Sequence, residues 1–441
     1  MNLEETLFNF LNIHANHQQP VLLGLSGGSD SLALFYLLIQ YRNLKALNFA
    51  AAHVDHGWRA ESKEEARQLQ HLAASMHVPI YLKNLNIAQL SGNMEEACRH
   101  ERLAFFKKLC HQHGYQAVIL GHHLNDQAET VLKKVLEGGS LPYLGGMTPV
   151  TDYQTLKLWR PFLTCSKSQI KQWLACKNYK FFEDKTNEDE KFLRARFRQT
   201  IIPHLASTFG KKIEESLCRL GYEAQELKKY LDNHLQGYLQ DIIKGPFGSS
   251  LNFQPHGMCT DFEMRYLIRK VCESEGLKLS HHLIEQACKK IHSKAANCQL
   301  LAKDTWVYID RERLFVMSKP LLDFKEELSF DRVGKYSAGD WTIEVTESLD
   351  SPMPITGWQE AWRGCLSIQI PSGKYSFKRG NSLLDKWWTN AKIPAFMRYA
   401  FPTLWADDKI IYEFLATRRL VDAHLKSFKC WTVTLCYQSS D

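Results

Sequence analysis

The sequence predicts an α/β chain: a doubly wound parallel sheet in the first half, then a helical middle domain and a small α+β domain at the end. Three observations point there. Between residue 21 and about residue 180, short apolar runs alternate with stretches whose apolar residues recur at helical spacing, the pattern of strands joined by crossover helices. The first run, Val21-Leu22-Leu23-Gly24-Leu25, feeds into Ser26-Gly27-Gly28-Ser29-Asp30-Ser31 and then into Leu32-Ala33-Leu34-Phe35-Tyr36-Leu37-Leu38-Ile39. Strand, Gly-rich turn and helix in that order aim backbone N–H groups and the positive end of a helix at one point. From about 190 to 317 the pattern turns helical, with charged, Leu-rich stretches such as 213–239 and 261–275.

Each element follows from its own residues. Residues 1–20 read as a short amphipathic helix with Leu3, Leu7, Phe8, Phe10 and Leu11 on one side. After the strand at 21–25 and its helix comes a second apolar strand, Leu47-Asn48-Phe49-Ala50-Ala51-Ala52-His53-Val54. A polar helix from about Glu61 sets Ala66, Leu69, Ala73 and Met76 on one face. Pro79-Ile80-Tyr81-Leu82 is the third strand, and a helix runs from 93 to about 113. The strand Ala117-Val118-Ile119-Leu120-Gly121 leads to a helix from near Asn125 to Glu137, stopped by Gly138-Gly139. Polar clusters at 26–31, 53–59 and 121–129 all fall at the carboxyl ends of strands, where open α/β sheets bind ligands. Beyond the helical region, 328–347 looks strand-like, Ser351-Pro352-Met353-Pro354 marks a linker, and 360–437 mixes short strands with one helix at 383–392. The expected domains are 1–214, 215–320, 321–359 and 360–441.

The chain has 441 residues, 44% hydrophobic and 23% charged, which suits a soluble protein of two to four domains. It holds no run of about 18 apolar residues, so no membrane-spanning helix is expected. The start, Met1-Asn2-Leu3-Glu4-Glu5, shows no basic region followed by an apolar run, so no secretory signal is expected. The twelve cysteines are scattered without a C-x-x-C pair, which argues against a disulfide framework or a zinc site and for a reducing, cytoplasmic compartment. Of the net charge of +7, +5 lies in residues 360–441, with twelve Lys/Arg against seven Asp/Glu. A polyanion partner and a solvated surface both fit that bias.

The chemistry-bearing residues cluster at the same strand ends. The two glycines of Ser26–Ser31 let a backbone approach an anion closely, and Ser26, Ser29 and Ser31 add hydroxyl donors; a plain Ser/Gly-rich cap is the alternative. In His53-Val54-Asp55-His56-Gly57, Asp55 can hold Mg²⁺ or orient a neighbour and His53 can lie beside a base. Alternate side chains of a strand diverge, so a transition-metal site is disfavoured there. In Gly121-His122-His123-Leu124-Asn125-Asp126-Gln127-Ala128-Glu129-Thr130, Asp126 and Glu129 share a helix face. They suit a cation, either Mg²⁺ or a substrate ammonium, or they serve only the helix dipole. Arg99 and Arg102 can reach a phosphate or pair with Glu95 and its neighbours on their helix. Arg194, Arg196 and Arg198 suit a nucleic-acid backbone or a solvated face. Lys378, Arg379, Lys386, Trp387, Trp388 and Arg398 set basic groups beside aromatics, as stacking and phosphate contact require.

The motif Ser-Gly-Gly-x-Asp-Ser after a strand resembles the pyrophosphate loop (PP-loop) of the N-type ATP pyrophosphatases. The wider set is similar to one family among them, the tRNA(Ile)-lysidine synthases: Ser26 to Ser31, His53-Val54-Asp55-His56-Gly57-Trp58-Arg59, Asn93 to Arg99, Gly121 to Thr130, Arg160-Pro161-Phe162, Glu183-Asp184-Lys185-Thr186-Asn187, and the basic run ending at Pro203. Leu384-Asp385-Lys386-Trp387-Trp388 through Arg398 and Pro402 resembles the last domain of that family. The resemblance implies a ligase that joins L-lysine to carbon 2 of the cytidine at the first anticodon position of a CAU-anticodon tRNA(Ile). ATP first adenylates the carbonyl oxygen with loss of pyrophosphate, and the lysine ε-amine then displaces AMP. On this resemblance Ser26, Gly27, Gly28, Ser29, Asp30, Ser31, His53 and Val54 bind ATP, with Asp30 on Mg²⁺. Asp30, Arg99, His122, Asp126 and Glu129 form the catalytic set, and Asp126 and Glu129 hold lysine. Arg194, Arg196, Arg198, Lys378, Arg379, Lys386, Trp387 and Arg398 contact tRNA, and a homodimer is compatible with the pattern. Unlike a Gly-x-x-x-x-Gly-Lys-Ser/Thr loop, Ser26–Ser31 carries no lysine, which suits pyrophosphate as leaving group.

Three departures stand out. Asn125 replaces a frequent acid, Ala195 an Asn between the arginines, and Glu137 an Arg before Gly138. Two other functions share parts of this pattern. A tRNA thiolase of the same superfamily needs a reactive cysteine or an iron–sulfur cluster. A non-catalytic nucleotide sensor needs neither the acidic helix at 126–129 nor the basic, aromatic C-terminal segment.

Overall fold

The computed structural model of the chain describes residues 2–55, 57, 62–85, 94–182, 193–255, 257, 259–302, 305–347, 357–419 and 430–437. It divides into two units, Met1–Lys229 and Tyr230–Asp441. Helix α1 (Leu3–His14) opens the first unit. Asn2 and Glu5 close a reciprocal cap at its start, and Leu3, Leu7 and Leu11 face inward. The chain continues through β1 (Val21–Gly24), α2 (Ser29–Lys45), β2 (Phe49–Asp55), α3 (Ser62–Ser75) and β3 (Ile80–Asn84). Next come α4 (Met94–His113), β4 (Val118–Ile119), α5 (Leu124–Leu136), β5 (Val150–Tyr153), β6 (Leu156–Trp159) and α6 (Lys167–Cys176). Helix α7 (Leu193–Arg196) passes through a π-helical turn at Phe197–Ile201 into α8 (Ile202–Phe209), and α9 (Ile213–His234) follows.

The strands form one sheet in the order β3-β2-β1-β4-β6-β5, parallel throughout except for the edge strand β5. Side chains alternate across it as strand geometry demands. Val21 and Leu23 join the core beneath α1, α2 and α6, whereas Leu22, Ala50 and Ala52 pack with Leu103, Phe106 and Leu109 of α4 on the other face. Helices cover both faces, so β2 is buried along most of its length and reads as a continuous apolar run. The chain leaves β1 toward β2 on one side and returns to β4 on the other. The crevice at the carboxyl ends of β1 and β4 is therefore the switch point of the sheet.

After the last residues of α9, the second unit continues with α10 (Gln236–Gln240), β7 (Ile243–Gly245), β8 (Gly248–Asn252), α11 (Asp261–Ser274) and α12 (His281–His292). With β9 (Cys298–Ala302), β10 (Thr305–Asp310) and β11 (Arg313–Met317) it builds an antiparallel sheet in the order β7-β8-β11-β10-β9. The helical region thus carries a sheet that its Leu-rich pattern does not announce. The strands are three to six residues long, and β11 is buried along nearly all of its length, so helical and strand periods cannot be told apart there. Strands β12 (Leu328–Phe330), β13 (Gly334–Ala338) and β14 (Trp341–Glu347) lead to α13 (Trp358–Trp362), β15 (Cys365–Pro371), β16 (Tyr375–Arg379) and α14 (Ser382–Asn390). β17 (Pro402–Ala406), β18 (Lys409–Glu413), β19 (Arg418–Arg419) and β20 (Cys430–Tyr437) complete two sheets, β12-β16-β17-β18-β19 and β13-β14-β20-β15. One aromatic-rich core containing Phe315, Trp341, Trp362, Phe377, Trp388 and Phe401 underlies this strand-rich part. No helix among the described residues is long and apolar enough to cross a membrane.

Candidate functional site

The Ser/Gly loop lies at the carboxyl end of β1 and caps α2, as its residue types require. Gly28 is the N-cap of α2, so the N–H groups of its first turn face the crevice end of the sheet. Gly27 has φ +90°, and a Cβ there would sit 2.7 Å from the Phe182 ring, so the residue must be glycine. The Ser31 hydroxyl organises the loop. Its oxygen accepts from the backbone N–H groups of Ser26 and Gly27, both at 3.1 Å, and it donates to the Gly28 carbonyl at 3.1 Å. Ser31 therefore holds the loop's shape rather than presenting a spare donor. Ser29 donates to Asp30 Oδ1 at 3.2 Å.

A cavity of about 200 Å³ opens here, lined by Gly24, Ser26, Asp30, Ser31, Val54, Arg102, Gly121, His122 and Asp126 among others. Gly121 allows the segment after β4 to approach closely, because a Cβ on it would lie 3.1 Å from Asp30 backbone and Cβ atoms. Val54 lines the cavity, but His53 is buried with its Nδ1–H donated to the Leu25 carbonyl at 2.8 Å. Asp55 accepts from the Gly57 N–H at 2.8 Å. On α4, Arg102 faces the cavity and Arg99 is exposed. The sequence pattern ranks the two alike, since residues three apart share a helix side, and only packing separates them.

The second half of the site is built by α5. His123 is its N-cap, and the His123 N–H donates to Asp126 Oδ2 at 3.0 Å. The His123 Nε2 lies 3.4 Å from Asp126 and 3.7 Å from Asp30, bridging the two acids. Burial pushes His123 down and holds His122 down at about 3, the latter helped by Arg160, Arg102 and Arg194 against Asp126, so both rings are neutral. Glu129 is 3% exposed and Asp126 is nearly as enclosed. Arg198 reaches both from the π-helical turn: its Nη2 donates to Asp126 Oδ1 at 2.7 Å and to Glu129 Oε2 at 3.1 Å, and its Nε donates to Glu129 Oε1. Burial pushes Asp126 up, but the Arg198 guanidinium and the hydrogen bond from the His123 backbone N–H outweigh it and hold the carboxyl below its ordinary range. Burial wins for Glu129, which stays raised despite Arg198.

The structure thus brings together the loop 26–31, Val54, Arg102, His122, Asp126 and Glu129, and adds Arg198 to the acids. Arg194 and Arg196 are exposed on α7. Their neighbour Arg198 turns inward, which a pattern of alternating arginines cannot reveal because a π turn shifts the register. In the second unit Lys378 pairs with Glu327 at 2.6 Å, and Arg379 pairs with Asp323 at 2.8 Å and lies 3.9 Å over the Tyr399 ring. Arg398 donates to the Ile393 carbonyl, Lys386 is exposed and Trp387 is half-buried. His56, Trp58, Arg59, Asn93 and the run Glu183 to Asn187 lie outside the described residues.

Sequence reasoning passed over Lys167, the first residue of α6, whose Nζ stands 3.7 Å from Asp30 Oδ2. The Asp30 carboxylate, 22% exposed and loosely contacted, supplies the oxygen donor that Mg²⁺ takes from a protein, one or two carboxylates with the rest left to water and phosphate. No group of three or more His, Cys, Asp or Glu side chains that could hold a metal ion occurs among the described residues. Cys98 is buried, and burial pushes the Cys110 thiol up to about 11, so neither is a ready thiolate beside the cavity.

A family model described as a PP-loop domain matches residues 2–205, and this fold binds ATP. The chain is 36% identical over 447 residues to the tRNA(Ile)-lysidine synthase of Protochlamydia amoebophila, covering 99% of this chain and 97% of that protein. The tRNA(Ile)-lysidine synthase of Chlamydia muridarum is 36% identical over 270 residues, 61% of this chain and 83% of that protein. Among solved structures, a U34-tRNA thiolase from Methanococcus maripaludis is similar at 19% identity and a TM-score of 0.42, over 51% of this chain and 78% of that one.

Proposed function

Because the chain belongs to the tRNA(Ile)-lysidine synthase family, we propose that its site joins L-lysine to carbon 2 of the cytidine at the first anticodon position of a tRNA(Ile) with a CAU anticodon. One observation carries the reading. Asp30, in the first turn of α2, and Asp126 line the same cavity and are tied through His123, 3.7 Å from Asp30 and 3.4 Å from Asp126, while Arg198 links Asp126 to the buried Glu129. An adenylation and an amine transfer can then share one cavity.

In the first step ATP lies with its pyrophosphate on the loop 26–31 and the first turn of α2. The cytosine O2 attacks the α-phosphorus, and the bond to the bridging oxygen breaks with its electron pair leaving on pyrophosphate. Asp30 would hold Mg²⁺, which when bound offsets charge on the phosphates. Arg102, on the cavity wall, takes the phosphate-stabilising role, with Arg99 behind it on the exposed side of α4. In the second step the lysine ammonium groups compete with Arg198 for Asp126 and Glu129. The ε-amine forms its bond to cytosine carbon 2 as the C2–O2 bond breaks with its electron pair leaving on AMP, and the attacking nitrogen loses a proton. Glu129, the raised acid of the two, is the better base, and neutral His122 at about 3 is a poor one.

In this reading residues 1–214 hold the chemistry, 215–320 bind the substrate, 321–359 are a connector, and 360–441 bind tRNA through Lys378, Arg379, Lys386, Trp387 and Arg398. Arg194 and Arg196 contact the tRNA near the cavity. The enzyme works in the cytoplasm, and a homodimer is compatible with it. The thiolase alternative is disfavoured by the buried Cys98 and raised Cys110. The test is pyrophosphate release from ATP with and without a CAU-anticodon tRNA(Ile) transcript. Release that depends on the transcript supports the reading, and release indifferent to it overturns it.

A further inference from the structure

We propose that Lys167 is the cation that meets the departing pyrophosphate, supplied by α6 to a loop that has no basic residue of its own. The inference rests on the adenylating reading above and names the leaving-group subsite within it. Ser26 to Ser31 offers only amides and hydroxyls to an anion, and Ser31 is spent on the loop itself. A pyrophosphate leaving with the electron pair of the broken bond gains negative charge at its bridging oxygen, and a nearby ammonium lowers the energy of that charge. Lys167 Nζ is 3.7 Å from Asp30 Oδ2, beside the first turn of α2.

Three features separate this from an ordinary surface pair. The Lys167 side chain is 39% exposed and meets no other carboxylate among the described residues. At 3.7 Å the pair is loose and contributes little to stability, so the ammonium can turn to an incoming anion without structural cost. Its backbone, in contrast, is pinned to the reacting side of the sheet. The Lys167 N–H donates to Asn125 Oδ1 at 3.0 Å, and the Leu124 N–H donates to the Cys165 carbonyl at 2.9 Å. Asn125 is one of the three departures from the family pattern, and here its side-chain oxygen anchors the residue that carries the charge. Lys167 acts on the leaving group alone, so it matters for adenylation and not for the later attack of lysine.

The experiment uses the full chain and the variants Lys167→Met, Lys167→Arg and Asn125→Leu. Binding of inorganic pyrophosphate is measured by calorimetry, and single-turnover rates are measured for pyrophosphate release and for lysine transfer from pre-adenylated tRNA. Lys167→Met is expected to weaken pyrophosphate binding about tenfold. It is expected to slow pyrophosphate release about a hundredfold, with lysine transfer from adenylated tRNA at the parent rate. Lys167→Arg restores both to within about threefold because it keeps the charge, and Asn125→Leu falls between. A Lys167→Met protein that binds pyrophosphate and releases it as the parent does overturns the proposal, as does an equal loss in both steps. Pyrophosphate binding needs no tRNA, so loss of binding in Lys167→Met together with a parent that never modifies tRNA would retain the anion subsite and discard the adenylating reading.

Discussion

Replacing Arg198 by Met tests how the acid pair is held. The side chain makes three charge-assisted contacts, 2.7 Å to Asp126, 3.1 Å to Glu129 Oε2, and a third from Nε to Glu129 Oε1. Glu129 is 3% exposed, so removing its partner leaves a carboxylate buried and uncompensated. Breaking such a pair costs about 3–5 kcal/mol, and the 29% exposure of Arg198 puts the expectation near the lower end, about 3 kcal/mol. For a unit of this size that is about 9 °C in the unfolding transition of Met1–Lys229. Methionine keeps the helical propensity, so the loss reports charge and not backbone. The assay is thermal unfolding at neutral pH with and without L-lysine, with Arg196→Met as an exposed control expected to change by less than about 0.5 kcal/mol. L-Lysine should stabilise Arg198→Met more than the parent, since its ammonium no longer competes with the guanidinium. An Arg198→Met protein that unfolds within about 2 °C of the parent, or equal stabilisation by lysine, refutes the reasoning.

Further expectations follow from the same geometry. Ser31→Ala strips the acceptor from the Ser26 and Gly27 amides, at a cost of about 1–3 kcal/mol in loop order, and ATP titration should show affinity falling about tenfold or more. Gly121→Ala sets a Cβ 3.1 Å from Asp30, so the first turn of α2 must shift; ATP affinity should drop while the unfolding temperature barely moves, and unchanged ATP binding would count against the close approach. His122 titrates near 3 in the folded chain against 6.5 unfolded, so the unfolded state binds the extra proton between those values. Parent stability should therefore fall by about 1.4 kcal/mol per unit as pH drops through that window. Denaturant midpoints of His122→Leu should lack that slope, and an identical slope would show that the ring is not buried neutral.

What the sequence shows of this fold is what local pattern can carry. Alternating apolar runs and helical stretches place β1 to β4 and their helices, and the Gly-rich turn marks the anion end of α2. The convergence of 26–31 with 121–129 follows from parallel topology alone. The rest depends on contacts between distant segments. Arg198 meets Glu129 across 69 positions and Lys167 meets Asp30 from another helix, and no spacing rule encodes either. His53 is legible as a strand-end polar residue, but its bond to the Leu25 carbonyl, 28 positions away, is not. Arg99 and Arg102 differ only in which one the sheet faces. The short buried strands of the middle region carry too few residues to show a period of two.

One cavity is proposed to adenylate a cytidine and then transfer lysine to it. The most direct measurement is incorporation of labelled L-lysine into CAU-anticodon transcripts of tRNA(Ile) and tRNA(Met), with pyrophosphate counted alongside. The expected result is lysine in tRNA(Ile) matched by an equal amount of pyrophosphate, little in tRNA(Met), and loss of both products with Asp30→Ala. Asp126→Ala should abolish lysine transfer while pyrophosphate release continues. No lysine incorporation by the parent, or normal transfer by Asp126→Ala, would contradict it.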